Sequence, residues 1–203
     1  MISSIVSFFS NPQALISAFG LIGIIIIIFL ETGFFFGFFL PGDSLLFTAG
    51  LLASQGHLPI AALLVGVFIA AVVGDNVGYV FGKKVGPALF SKDDSVFFDK
   101  KNIARAQHFY EKYGVRTIIL ARFVPIVRTF APIVAGIGNM DYKTFFINNI
   151  LGGFLWTVLL IGLGYGFGHV IPDPDRFLLP AIGVIIVLSL LPALREVLRR
   201  RKQ

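Results

Sequence analysis

The sequence predicts an all-α polytopic membrane protein, and three observations carry that prediction. The 203 residues are 56% hydrophobic and 14% charged, where soluble domains carry about 25% charged residues; the mean hydropathy is +0.87. Several apolar stretches reach the roughly 20 residues that a helix needs to cross the hydrocarbon core. The basic residues are segregated: none in 1–82, eight in 83–116, and a last cluster at Arg195, Arg199, Arg200, Arg201 and Lys202. A soluble chain of this length has too little interior to bury so much apolar surface. The formal charge of +6 therefore reads as cytoplasmic loops against anionic lipid, not as a nucleic-acid groove. The absence of cysteine excludes disulfides, thiolate metal sites and cysteine nucleophiles. The N-terminus has neither the basic region nor the small-residue cleavage site of a signal peptide, and none is expected.

The chain reads as one membrane domain over 1–203, with about four full spans and two re-entrant hairpins. Ala14–Leu30, Leu58–Gly82, Thr144–Ile171 and Phe177–Leu194 read as spanning helices; only Leu58–Gly82 carries an acid, Asp75. Two further apolar stretches are broken. Residues 32–55 contain Pro41-Gly42-Asp43, and 116–139 contain Pro125, Pro132, Arg122 and Arg128. Charge parity decides how the second is read. The basic loop and the basic tail, 195–203, both belong in the cytoplasm. Thr144–Ile171 and Phe177–Leu194 already supply the even number of crossings between them. The 116–139 stretch is thus expected to enter and leave on one side, which broken backbone does only when packed in protein or lining a cavity. The same reading of 32–55 places the N-terminus in the cytoplasm too. Residues 93–113 form an amphipathic pattern: Val96, Ile103, Ala106, Tyr110 and Tyr113 share one face, with Ser95 as N-cap and Gly114 as stop. This is a cytoplasmic interfacial helix or a loop helix packed on the protein.

An internal repeat supports the pairing of the two broken stretches. At an offset of 86, Ala49-Gly50 meets Ala135-Gly136, Gly66, Phe68 and Val72 meet Gly152, Phe154 and Val158, and Gly78-Tyr79-x-Phe81-Gly82 meets Gly164-Tyr165-x-Phe167-Gly168. Each unit is a hairpin broken at Pro41-Gly42 or at Pro125 and Pro132, followed by a spanning helix. The charge pattern makes the repeat inverted, the plan of many transporters, with the substrate site at the repeat interface.

The chemistry must come from ionisable groups inside the membrane: Glu31, Asp43, Asp75, Arg122 and Arg128. Each costs about 2.5–3.5 kcal/mol at a helix centre on insertion scales. With the hairpin tips facing each other, two acids meet two arginines. Guanidinium groups bind phosphate in a bidentate manner and stay charged when buried, and a carboxylate in an apolar site takes up a proton. Arg122 and Arg128 are the candidate phosphate ligands, and Glu31 and Asp43 the candidate proton carriers. The alternative is a set of salt bridges holding the hairpins together, and Asp75, without an equivalent in the second unit, reads as structural. Enzyme signatures are absent: no nucleotide-binding Gly-Lys-Ser/Thr loop, no His-Glu-x-x-His, no Gly-x-Ser-x-Gly. His57, His108 and His169 are scattered. No enzyme activity, metal or cofactor is expected. Gly152-Gly153 and the glycines at 162–168 permit close helix contact, including between copies of the chain.

Glu31-Thr-Gly-x-x-x-Gly-Phe-Phe-Leu-Pro-Gly-Asp43 and Arg122-Phe-x-Pro-x-x-Arg128 resemble the signatures of the DedA family, whose wider group includes the VTT-domain proteins. The resemblance spans about residues 15–195. It implies a bacterial inner-membrane protein with paired re-entrant hairpins that moves lipids between leaflets. The implied substrates are undecaprenyl phosphate, the cell-envelope carrier lipid, or phospholipid. It also implies a functional set at Glu31, Asp43, Arg122 and Arg128, with proton coupling. A proton-coupled exporter of small cations or drugs and a non-transporting scaffold are the rival readings.

Overall fold

A computed structural model of the chain describes residues 12–34, 40, 42–89, 114 and 116–170. They form helices α1 (Pro12–Gly33), α2 (Gly42–Ser54), α3 (Ile60–Leu89), α4 (Arg116–Ala121), α5 (Pro125–Ile137) and α6 (Tyr142–Val170). The expected interfacial helix at 93–113, the span at 177–194, the tail at 195–203 and Pro41 lie outside the described residues.

Among the described residues, α3 and α6 are long and apolar enough to cross a bilayer, over Ile60–Val85 and Tyr142–Val170. At 1.5 Å per residue they run about 39 and 44 Å, more than the ~30 Å hydrocarbon core. Their outer surface is apolar. Val65, Ile69, Val73 and Val77 recur every fourth residue of α3 and are exposed, as are Ile147, Leu151, Leu155 and Leu159 on α6. Asp75 and Asn149, on the same helices, are buried. Apolar groups outside and polar groups inside is the arrangement that lipid imposes. The first span departs from its expected form. An unbroken helix over Ala14–Leu30 was the expectation, but Gly20 has φ 57° and ψ −152°, a left-handed backbone that glycine adopts without a Cβ penalty. The continuous apolar helix is Gly20–Gly33.

The chain divides into two compact units. The first comprises residues 1–25, 40–65 and 157–203, the second 26–39 and 66–156. In the second, Tyr79, Ile118, Ala135 and Phe145 form a buried cluster with Met140 against it. Tyr79 stacks on Phe145 at 4.5 Å between ring centroids and its hydroxyl donates to the Met140 carbonyl. Ile118 belongs to α4 and Ala135 to α5, so these two helices form a hairpin whose arms return to the same level of α3. The break falls at residues 122–124, with Pro125 in the first turn of α5 and Val124 as an extended N-cap. Proline fits there because that N–H has no helical partner. Pro132 was expected to break the hairpin. It lies instead inside a continuous α5, which it spares because α5 packs there on Gly78, where a Cβ would stand 3.4 Å from the Pro132 Cβ. Gly42 was likewise expected at a break and is the first residue of α2.

The repeated glycines share a role in both units. In the second, a Cβ on Gly82 would strike the Ile133 carbonyl, and one on Gly136 the Tyr79 carbonyl, so α3 and α5 touch backbone to backbone. In the first, a Cβ on Gly164 would strike the Phe47 carbonyl, and one on Gly50 the Ile161 carbonyl, so α6 and α2 touch likewise. The repeats thus exchange partners: the helix after each break packs on the long helix of the other repeat. Of the glycines at 162–168 expected to permit close helix contact, Gly164 makes one with α2, while Gly162 and Gly166 meet nothing within 4 Å.

Gly136→Ala should lower the unfolding temperature in detergent, because overpacking a close contact costs about 1–3 kcal/mol; Gly166→Ala, in open space, should not. A second expectation concerns the start of α6. The backbone N–H and hydroxyl of Thr144 both donate to Asp141 Oδ2 at 2.9 Å. The N–H bond foremost, then the hydroxyl, holds this exposed carboxyl below its ordinary value of 3.8. The cap therefore contributes fully above pH 3.8 and drops out as pH falls through the lower, folded-state value. Asp141→Ala should reduce stability at neutral pH and flatten the acid limb of a stability–pH curve.

Candidate functional site

Five polar side chains converge in the second unit: Glu31 from the end of α1, Asp75 from α3, Arg122 from the α4–α5 turn, Arg128 from α5 and Asn149 from α6. Each lies at 7% exposure or less. Two close approaches bring the helices together. Gly33 and Gly74 touch backbone to backbone, with the Thr32 hydroxyl over Gly74; that hydroxyl donates to the Ile28 carbonyl at 2.9 Å and leaves no polar hydrogen stranded. Gly152 and Gly153 make room on α6 for the Arg122 side chain: a Cβ on Gly153 would stand 3.3 Å from Nη1 and 3.2 Å from Val72 Cγ2. Both were expected to permit close helix contact, and a Cβ on Gly152 would stand 3.3 Å from Ile119 Cα of α4; the pair seats the arginine as well.

Two ion pairs form among the described residues. Arg128 donates through Nη2 to Glu31 Oε1, and its guanidinium lies 5.0 Å from the centroid of the Trp156 ring. Arg122 donates through Nη2 to Asp75 Oδ2 and to Asn149 Oδ1. The Asn149 amide in turn donates to the Val72 carbonyl at 3.0 Å, which fixes the orientation of its oxygen toward the arginine. Arg122 Nη1 has no hydrogen-bond acceptor among the described residues. Two small cavities of about 10 Å³ each adjoin the pairs, and Asp75, Arg122 and Arg128 line both. Each has room for about one water.

Depth follows from helix geometry. Lys83, whose ammonium lies 5.8 Å over the Tyr79 ring, is eight residues along α3 from Asp75, a rise of about 12 Å. Tyr142, whose hydroxyl donates to Asn76 Oδ1 at 3.0 Å, is seven residues from Asn149, a rise of about 10 Å. The charged cluster is thus about two turns below Tyr142 and Lys83, with Tyr79 about one turn away from it along α3.

Of the residues singled out from sequence, Glu31, Arg122 and Arg128 come together. Asp43 belongs to the first unit, as the second residue of α2, and is half-buried. Asp75, read as structural, is the direct partner of Arg122. Asn149 was missed; its only signal was an Asn pair within an otherwise apolar stretch. Trp156, the one tryptophan of the chain, was missed as well, because nothing in sequence places it over Arg128.

An all-α protein with two long apolar helices and charges paired inside belongs to the class of integral membrane proteins. Comparison with known proteins agrees. The VTT domain family model matches residues 40–166. Protein DedA of Escherichia coli K12 is 46% identical over 179 residues, covering 87% of this chain and 81% of its own. A membrane protein of Mycobacterium leprae is 44% identical over 187 residues, covering 92% and 83%. The inner membrane protein YqjA of Escherichia coli K12 is 32% identical over 143 residues, covering 70% and 65%. No solved structure matches. The chain belongs to the DedA family of VTT-domain proteins. With the family come a multi-pass inner-membrane location and a general membrane-transport role, not an enzymatic one.

Removing one partner of a buried pair strands the other charge, at a cost of about 3–5 kcal/mol, whereas replacing both with apolar groups is often neutral. Glu31→Leu should therefore lower the unfolding temperature sharply, and the double variant E31L/R128M should recover most of that loss.

Proposed function

We propose that this protein carries an anionic polyprenyl phosphate, undecaprenyl phosphate, between the leaflets of the bacterial inner membrane, coupled to protons. The observation that carries the proposal is the pair of arginines buried behind an apolar exterior. Two guanidinium groups that line the same cavities suit a phosphate group, while the exposed valine and leucine faces leave the prenyl tail in lipid. Arg122 and Arg128 hold the phosphate. Glu31 and Asp43 carry protons, Glu31 by releasing Arg128 when its carboxylate is neutralised.

The α4–α5 hairpin acts as a re-entrant element, and α2 with residues 32–41 as its counterpart in the first repeat. The return of Ile118 and Ala135 to one cluster supports this for the second hairpin. Tyr79, Tyr142 and Lys83 suit a membrane–water boundary; with that band at the cytoplasmic face, the N- and C-termini are cytoplasmic and the site lies just short of the midplane, half of ~30 Å. A phosphate entering at the headgroup level then reaches the arginines after descending only about two helical turns.

The test is leaflet transfer in liposomes holding only this purified protein, with labelled undecaprenyl phosphate beside a labelled phospholipid. The polyprenyl phosphate should move and the phospholipid should not, and Arg122→Ala should stop it. Equal movement of both lipids makes the protein a scramblase; movement of neither returns the field to the exporter and scaffold readings. Arg128→Lys should slow transfer about tenfold, since an ammonium lacks the planar fork that grips two phosphate oxygens. An imposed pH gradient should change the rate; indifference to it removes the proton-coupling role.

A further inference from the structure

We propose that Asp75 is an exchangeable counter-ion: in the unloaded protein its carboxylate occupies the place on Arg122 that the anionic headgroup of the cargo takes in the loaded one. The proposal rests on the phosphate reading above and adds a residue outside the set Glu31, Asp43, Arg122 and Arg128.

Space is the first reason. The cavities beside the two arginines measure about 10 Å³ each, and a phosphate group, several times larger than a water, does not fit while both carboxylates hold their places. Charge is the second. Among the described residues Arg122 pairs with Asp75 and Arg128 with Glu31, so each guanidinium already faces a carboxylate. An added phosphate brings uncompensated negative charge into a low-dielectric site, which is unfavourable unless a carboxylate swings away or takes a proton. Hydrogen bonding is the third. The Nη2 of Arg122 is shared between a charged acceptor, Asp75, and a neutral one, Asn149, while Nη1 has no acceptor among the described residues. Asn149 is itself anchored to the Val72 carbonyl. When Asp75 lets go, Asn149 still holds the guanidinium, and Nη1 and half of Nη2 are available for two phosphate oxygens.

The groups around Asp75 are consistent with this exchange. Arg122 from the α4–α5 turn pairs with it, Arg128 from α5 lines the same cavities, Asn149 from α6 is neutral, and Glu31 from α1 is engaged with Arg128. On loading, the phosphate displaces the Asp75 carboxylate, which takes a proton from water at the entry side. On release, Asp75 gives up that proton and recovers Arg122. No other bond changes.

The experiment is thermal unfolding of the full-length protein in detergent, wild type beside Asp75→Asn, with farnesyl phosphate, farnesol or inorganic phosphate added. Asp75→Asn strands the Arg122 charge, so the unloaded variant should unfold at a lower temperature. Farnesyl phosphate should then raise its unfolding temperature more than that of wild type, with an apparent Kd at least about tenfold lower, and farnesol should not. If inorganic phosphate rescues equally well, the site reads the anion alone and the prenyl tail adds nothing. Equal stabilisation of both proteins by farnesyl phosphate would overturn the inference and leave the phosphate reading standing. No response from either protein would sink the phosphate reading and this inference with it. If Asp75→Asn does not fold, Asn149→Asp decides. A second carboxylate on Arg122 should cut the stabilisation by farnesyl phosphate below the wild-type value, and an undiminished response counts against the exchange.

Discussion

Two arginine–carboxylate pairs sit inside a protein whose outer surface is built for hydrocarbon, and the rest of the architecture follows from the need to keep them there. Charged side chains at this depth are tolerated only when they face other protein groups. Each guanidinium therefore has its own carboxylate, one from α1 and one from α3, and each has a further partner: Trp156 beneath Arg128, Asn149 beside Arg122. Continuum arguments give such pairs little net stabilisation. Under the function proposed above, their presence in so apolar a chain follows from work on a charged cargo rather than from adhesion.

The second constraint is the α4–α5 hairpin that delivers both arginines. The hairpin packs closely on α3 and α6 because both have glycines where it touches them. Gly78 and Gly82 admit α5, and Gly152 and Gly153 admit the Arg122 stem. Small residues allow backbones to approach where no hydrophobic force drives helices together. The same device recurs in the first unit at Gly50 and Gly164, so the repeat is a repeat of packing, with the long helices exchanged.

Each guanidinium of the cluster faces a carboxylate, and the cavities beside them hold little more than a water each. For the anion carrier proposed above, such carboxylates would stand in for the cargo, because two unpaired arginines in hydrocarbon are too costly to leave waiting. They would also tie cargo entry to the release of a carboxylate.

Much of this was legible in the chain before folding. The apolar composition and the segregated lysines and arginines determine that the protein lives in a bilayer, since no soluble core of this size hides such a surface. The positions of Pro125 and Arg122–Arg128 determine where the second hairpin turns, and the 86-residue repeat marks the glycines that matter. The sequence did not determine which acid meets which arginine. Asp43 and Asp75 carry the same charge, and linear spacing says nothing about which helix passes beside α4. Pro132 reads as a breaker, yet its helix continues, because tertiary packing on Gly78 outweighs the lost backbone bond. Asn149 and Trp156 have no motif at all. Their roles come from the antiparallel packing of α3 and α6, which sets Asn149 level with Val72 and thereby against Arg122. Partner choice inside the membrane is a matter of which side chains share a level, and only the tertiary structure assigns levels.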